Sequence, residues 1–168
     1  MKLRMETETD FDQVRNIHEL AFNGPSEAKL VDMLRNSASP IISMVTEDEK
    51  RELVGHIMFS PVTISNQQGA KLMGLAPVAI TPNEQNRGFG SALIRRGLEE
   101  CRNQEISAVV VLGHADYYPR FGFSKSTGLN ITCEYDVPAE NFMALELKEN
   151  ALRGITGQIK YHSAFGEL

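Results

Sequence analysis

Cysteine is scarce in this chain: Cys101 and Cys133 are the only two in 168 residues. Neither has a CxxC partner or metal-ligand spacing, so no metal site is expected. Cys101 falls on the apolar stripe of a predicted helix and reads as a small buried hydrophobe. Long apolar runs are missing as well. None approaches the ~20 residues that a membrane span needs. The opening Met1-Lys2-Leu3-Arg4-Met5-Glu6 lacks the apolar stretch of a secretory signal. A cytoplasmic protein outside the membrane is therefore expected, and in a reducing compartment no structural disulfide. Cationic blocks are absent too: 17 Lys and Arg against 22 Asp and Glu leave a net charge of −5. Nothing has the density of a nucleic-acid or membrane patch. Mild acidity suits a cationic partner better than an anionic polymer. With no repeat, low-complexity tract or Pro/Gly/Ser linker, residues 1–168 are expected to form one domain. At that length a chain buries roughly 70% of the surface it exposes unfolded.

The periodicity that is present alternates between strand and helix. Leu3–Thr7 reads as a short strand. Thr9 is placed to cap a helix carrying Val14, Ile17 and Ala21, with Asp12 completing a capping box. Gly24-Pro25 ends it, and Ser26 is placed to cap a second helix with Leu30, Val31 and Leu34. Ile41–Val45 and Leu53–Ile64 read as strands joined at Asp48–Lys50, and Leu72–Ile80 as a strand made irregular by Pro77. From Gly88 the period becomes helical: Gly90, Leu93, Ile94, Gly97, Leu98 and Cys101 form one apolar stripe. Arg95/Glu99 and Arg96/Glu100 are expected to pair on its wet face. Ala108–Leu112 is continuously apolar, as a strand covered on both faces should be. Residues 72–112 thus make a βαβ unit, and the fold class is α/β. Tyr117–Phe121 reads as a short turn or helix, with further strands at Phe123–Cys133, Phe142–Leu147 and Ile159–Phe165.

Between strand and helix lies Gln85-Asn86-Arg87-Gly88-Phe89-Gly90-Ser91. Glycine lets a backbone approach a ligand with no Cβ in the way. A helix N-terminus offers orphan N–H donors and about half a positive charge, which suits a pyrophosphate, and Arg87 can add a charge-assisted contact. The spacing is neither GxGxxG nor that of a Walker loop. Two readings stand on these residues alone: a phosphate cradle, or a glycine-softened turn that binds nothing.

Gln85, Gly88 and Gly90 match the [Q/R]-x-x-G-x-[G/A] motif of the GNAT superfamily of N-acetyltransferases. Val78-Ala79-Ile80 stand where its cofactor strand belongs. Tyr118-Pro119-Arg120-Phe121-Gly122-Phe123 resembles its second motif. Val54-Gly55-His56-Ile57, Leu75-Ala76-Pro77, Tyr117-Tyr118 and Gly157…Tyr161…Ala164-Phe165 resemble the YhbS-like bacterial subgroup.

The resemblance implies a mixed central sheet flanked by helices, with a splayed parallel strand pair forming an acetyl-CoA wedge. Val78, Ala79 and Ile80 would pair with pantetheine, Val78 and Ile80 through backbone groups. Gln85, Asn86, Arg87, Gly88, Phe89, Gly90 and Ser91 would hold the cofactor's phosphates. An amine, on a small molecule or a peptide, would attack the thioester directly. Tyr118 would protonate the leaving thiolate, a tyrosine being protonated at neutral pH. Tyr117 would face away or toward substrate. Many members use a glutamate on the cofactor strand as base, and none stands between Lys71 and Pro82. His114, just past the Ala108–Leu112 strand, is the candidate proton relay, with Asp116 and Glu27 behind it. The resemblance also admits a homodimer. The competing reading is a non-catalytic acyl-CoA sensor of the same fold.

Overall fold

A computed structural model describes residues 1–168. Nine strands and three helices follow in order. They are β1 (Lys2–Met5), α1 (Phe11–Phe22), α2 (Ser26–Ser37), β2 (Ile42–Glu47), β3 (Leu53–Val62), β4 (Leu72–Ile80), α3 (Phe89–Asn103) and β5 (Ala108–Leu112). The C-terminal part adds β6 (Ser124–Lys125), β7 (Ile131–Cys133), β8 (Phe142–Glu146) and β9 (Gly157–Ile159). The main sheet runs β1-β2-β3-β4-β5-β8-β6, and β7 and β9 form a separate parallel pair. Only β4 and β5 are parallel within the main sheet, joined by α3 as their crossover. No helix is long and apolar enough to cross a membrane.

Side chains alternate across a strand, and here the alternation assigns the two faces of the sheet. Ile42, Met44, Ile57 and Phe59 pack with Leu93, Ile94, Leu98 and Cys101 of α3. Val45 and Met58, on the opposite face, pack with Val14 of α1 and Leu30, Val31 and Leu34 of α2. Cys101 is fully buried, which pushes its thiol up to about 12, and both cysteines are free.

Several local expectations give way to tertiary contacts. The first capping box uses Thr7 and Asp10 rather than Thr9 and Asp12, because Asp10 is drawn in by Arg4 at 2.7 Å. Ser26 begins α2 without capping it by side chain. Arg96 lies 3.2 Å from Glu99 and 3.9 Å from Glu100, whereas Arg95 leaves its expected partner and sits over the Phe121 ring at 4.8 Å. The span 123–133 is two short strands separated by a turn at Ser126–Gly128 and belongs to both sheets. The last strand is Gly157–Ile159. His162 then accepts the Ala164 N–H and caps a final turn.

A buried polar chain ties α1 and α2 to the sheet. Arg35 of α2 pairs with Glu6, whose carboxylate also accepts from Ser43 Oγ at 2.6 Å. Ser43 therefore uses its one proton on Glu6 and must accept from His56 Nε2 at 2.8 Å. His56 Nδ1 is left as an acceptor, so His18 Nε2 donates to it at 2.8 Å. The chain ends at His18 Nδ1, a buried lone pair with no partner. Glu6 stands 3.6 Å from His56, but its charge is committed to Arg35. Burial therefore dominates, and both imidazoles are held neutral, His18 down to about 4 and His56 well below the usual histidine value.

Candidate active site

The parallel ladder between β4 and β5 is short. It joins Leu72–Gly74 to Ala108–Val110 and stops. Residues 75–80 continue along β3 on one side only, past a register shift opposite Ile57 and Phe59 near Pro77. The β5-facing backbone groups of that stretch are thus left without a strand partner, which is the geometry of a sheet edge awaiting another chain.

Past β4 the chain turns into α3. Gln85 Nε2 donates to the Ile80 carbonyl at 3.1 Å and ties the loop to the strand end. Asn86 and Gly88 take positive φ, +62° and +88°. The left-handed turn at Gly88 is one that glycine alone adopts without strain, and open space lies before it. The first intrahelical bond is Ala92 N–H to the Gly88 carbonyl. From Gln85 to Ser91 no backbone N–H meets an acceptor within the chain. Successive unpaired donors at a helix start form an anion cradle.

These donors line a cleft of about 650 Å³, bounded also by Val78, Ile80, Ile94, Gly113, His114, Tyr117, Tyr118 and Arg120. Of the residues expected at a cofactor, Val78, Ile80, Gln85, Asn86, Gly88, Gly90 and Ser91 line it. Ala79 and Phe89 turn their side chains into the protein, and Arg87 pairs with Glu84 at 2.5 Å. Those three reach the cleft by backbone at most. Tyr117 faces the cleft, its hydroxyl 3.1 Å from Ser91 Oγ, with Arg120 stacked on its ring at 4.4 Å. Ile94, Gly113 and Arg120 were not expected there. Arg120 lay in plain view inside the Tyr-Pro-Arg-Phe-Gly-Phe motif.

Tyr118 is 8% exposed, and burial, with Tyr117 beside it, pushes its hydroxyl up to about 12. It remains a proton donor at neutral pH. An ideal Cβ at Gly113 would lie 2.2 Å from Tyr118 Cε2, so the ring occupies space that only glycine leaves free.

A second cavity, about 330 Å³, adjoins the first. Phe22, Glu27 and Leu30 from α1 and α2 line it, with Leu75–Val78 of β4, Leu112, Tyr118, Tyr135, Tyr161, Phe165 and Leu168. The first cavity holds the α3 terminus and the second the α1–α2 junction, which belong to opposite faces of the sheet. Val78 and Tyr118 alone line both. The two chambers meet where β4 and β5 part, with Tyr118 at the junction. His114 lies on the α3 side only.

Residues 2–126 match the family model described as an acetyltransferase (GNAT) domain. The chain belongs to this family. It is an acetyltransferase, and its mixed sheet is the family's fold. Over the full length of both chains it is 29% identical to YhbS of Escherichia coli, an uncharacterized N-acetyltransferase. The crystal structure of that protein with CoA superposes with a TM-score of 0.89, covering 98% of this chain and 91% of the other. YjhQ of Escherichia coli, another uncharacterized N-acetyltransferase, is 38% identical over 79% of this chain and 75% of its own. A GNAT family acetyltransferase from Brucella melitensis, solved with acetyl-CoA, is 32% identical with a TM-score of 0.79, covering 98% and 97%.

Proposed function

We propose that this acetyltransferase holds acetyl-CoA in the α3-side cleft and passes the acetyl group to a primary amine presented from the second chamber. The observation that carries this is the position of Tyr118 where the two cavities meet, beside the unpaired stretch of β4 and the unpaired amides of residues 85–91. Pantetheine would pair with the backbone of Val78 and Ile80 as an added strand. The pyrophosphate would lie on the amides from Asn86 to Ser91, with Arg120 near enough to offset charge. The solved relatives with CoA and acetyl-CoA support this placement.

The amine arrives as an ammonium and must lose one proton before attack, since a lysine-like amine has a pKa near 10.4. The neutral nitrogen adds to the thioester carbonyl, and collapse breaks the C–S bond. Tyr118 gives its proton to the departing thiolate, and the acetylated nitrogen returns one to the phenolate. The net change is amine plus acetyl-CoA to amide plus free CoA. His114, which lines the cofactor cleft only, would relay that proton outward to solvent once the amine nitrogen has reached the junction beside Tyr118.

Tyr118→Phe removes only the hydroxyl. General acid catalysis contributes roughly 10²–10⁴-fold, so kcat should fall by that order while acetyl-CoA affinity, read by calorimetry, stays within about twofold. An unchanged kcat with chemistry rate-limiting removes Tyr118 from the mechanism. Tight acetyl-CoA binding with no thiol release from any amine would make the protein an acyl-CoA sensor.

A further inference from the structure

The second chamber is more selective than amine acetylation requires. Its walls are apolar and aromatic, and Glu27 is the one charged side chain among them. Glu27, on the first turn of α2, is half-buried and makes no ion pair or hydrogen bond within the chain. Across the chamber Tyr135, Tyr161 and Phe165 form a continuous aromatic wall, with successive ring centroids 5.7 Å and 5.2 Å apart. Tyr161 offers the chamber its ring alone, because its hydroxyl is sealed inside the protein.

Resting on the acetyl-transfer reading above, we propose that the acceptor is a small monoamine on an aromatic body, an arylalkylamine. Its ammonium is drawn in by Glu27 and its ring lies against Tyr135, Tyr161 and Phe165. Charge decides between amine classes. One carboxylate matches one ammonium. A polyamine or aminoglycoside would bring further ammonium groups against Leu, Val, Pro and Phe side chains, and an unpaired charge in such surroundings is strongly disfavoured. Area favours the same class, because an aromatic ring gains contact with apolar walls where a sugar hydroxyl would lose its water. Glu27 also places a carboxylate on the acceptor side, a position to which His114 does not extend.

The test is calorimetry on the CoA complex at pH 7.5 with 2-phenylethylamine, its neutral isostere 2-phenylethanol, spermidine and an aminoglycoside. The amine should bind at least about tenfold tighter than each of the other three, the worth of one hydrogen bond to a charged group. Glu27→Gln should weaken 2-phenylethylamine about tenfold and leave 2-phenylethanol unchanged, so the amine-over-alcohol preference collapses. A purely structural role for Glu27 would shift both ligands together. Tyr135→Leu is the second variant and should weaken amine and alcohol alike. Tighter binding of spermidine or the aminoglycoside overturns the proposal, as does an amine preference that survives Glu27→Gln. Turnover separates this from the parent reading. Binding of 2-phenylethylamine without acetylation overturns the transfer reading alone. Preferential acetylation of spermidine overturns the arylalkylamine alone.

Discussion

Acidification should unfold this protein in a window set by histidine rather than by carboxylates. His18 is fully buried at the end of the Glu6–Ser43–His56 chain and stays neutral in the fold down to about 4. In the unfolded chain it takes up a proton near its ordinary value of 6.5. Because the folded value is depressed, unfolding binds a proton, and stability falls as pH drops from 6.5 toward 4. One tenfold preference is ~1.4 kcal/mol, so the full loss from His18 is about 3 kcal/mol, with about 2 kcal/mol already gone at pH 5. His56, held well below its usual value by burial, adds in the same direction as pH falls below that value. Asp10, lowered to about 2 by Arg4, begins to contribute only below its ordinary 3.8, so the two regimes separate. Urea denaturation at pH 7.5 and pH 5.0 measures the difference directly. His18→Gln removes one titrating group while keeping a donor for His56, and its loss between those pH values should be smaller by about 2 kcal/mol. Equal stability of the wild type at both pH values, to within ~0.5 kcal/mol, would refute the buried-neutral assignment.

Gly88→Glu should cost acetyl-CoA affinity at least about a hundredfold in calorimetry. It puts a carboxylate before the unpaired amides of α3 and forces a residue with a Cβ to φ +88°. The backbone strain should lower Tm by only a few degrees, so intact affinity in a folded variant would place the phosphates elsewhere. Gly113→Ala should displace the Tyr118 ring, since the added Cβ would stand 2.2 Å from it. A misplacement of about 1 Å can cost ~10²-fold, so kcat should drop toward the Tyr118→Phe value with acetyl-CoA affinity little changed. A normal kcat would show that the ring position is not what matters.

The βαβ unit was legible because its signals are local. Leu72–Ile80 and Ala108–Leu112 occupy the spans their patterns predict, and the apolar stripe of α3 is the buried one. Pro77 foretold an irregular β4, and the register shift lies beside it. The cleft at the start of α3 was legible for the same reason: its lining draws on the contiguous stretch Gln85 to Ser91. Where a choice depended on a distant partner, the sequence was silent. Asp10 outcompetes Asp12 through Arg4, and Arg95 prefers Phe121 to Glu99. The second chamber draws on Phe22, Leu75, Tyr135 and Phe165, which share no local period. Glu27 stood among the lesser candidates for a base because nothing nearby in sequence ties it to Tyr118.

Two chambers on opposite faces, in contact only past Val78 and Tyr118, make the sheet a bulkhead with a single port. On the proposed assignment, donor and acceptor would come in by separate doors, so neither would have to leave before the other is seated, and neither would block the other's exit. That arrangement would impose no order of loading, and each spent product would depart from the side on which its parent arrived. Water entering from the acceptor side would meet the thioester through the same port. A chamber walled by aromatic rings would disfavour water at that doorway when no amine is present, so the acetyl group would wait for a nucleophile instead of being lost to hydrolysis.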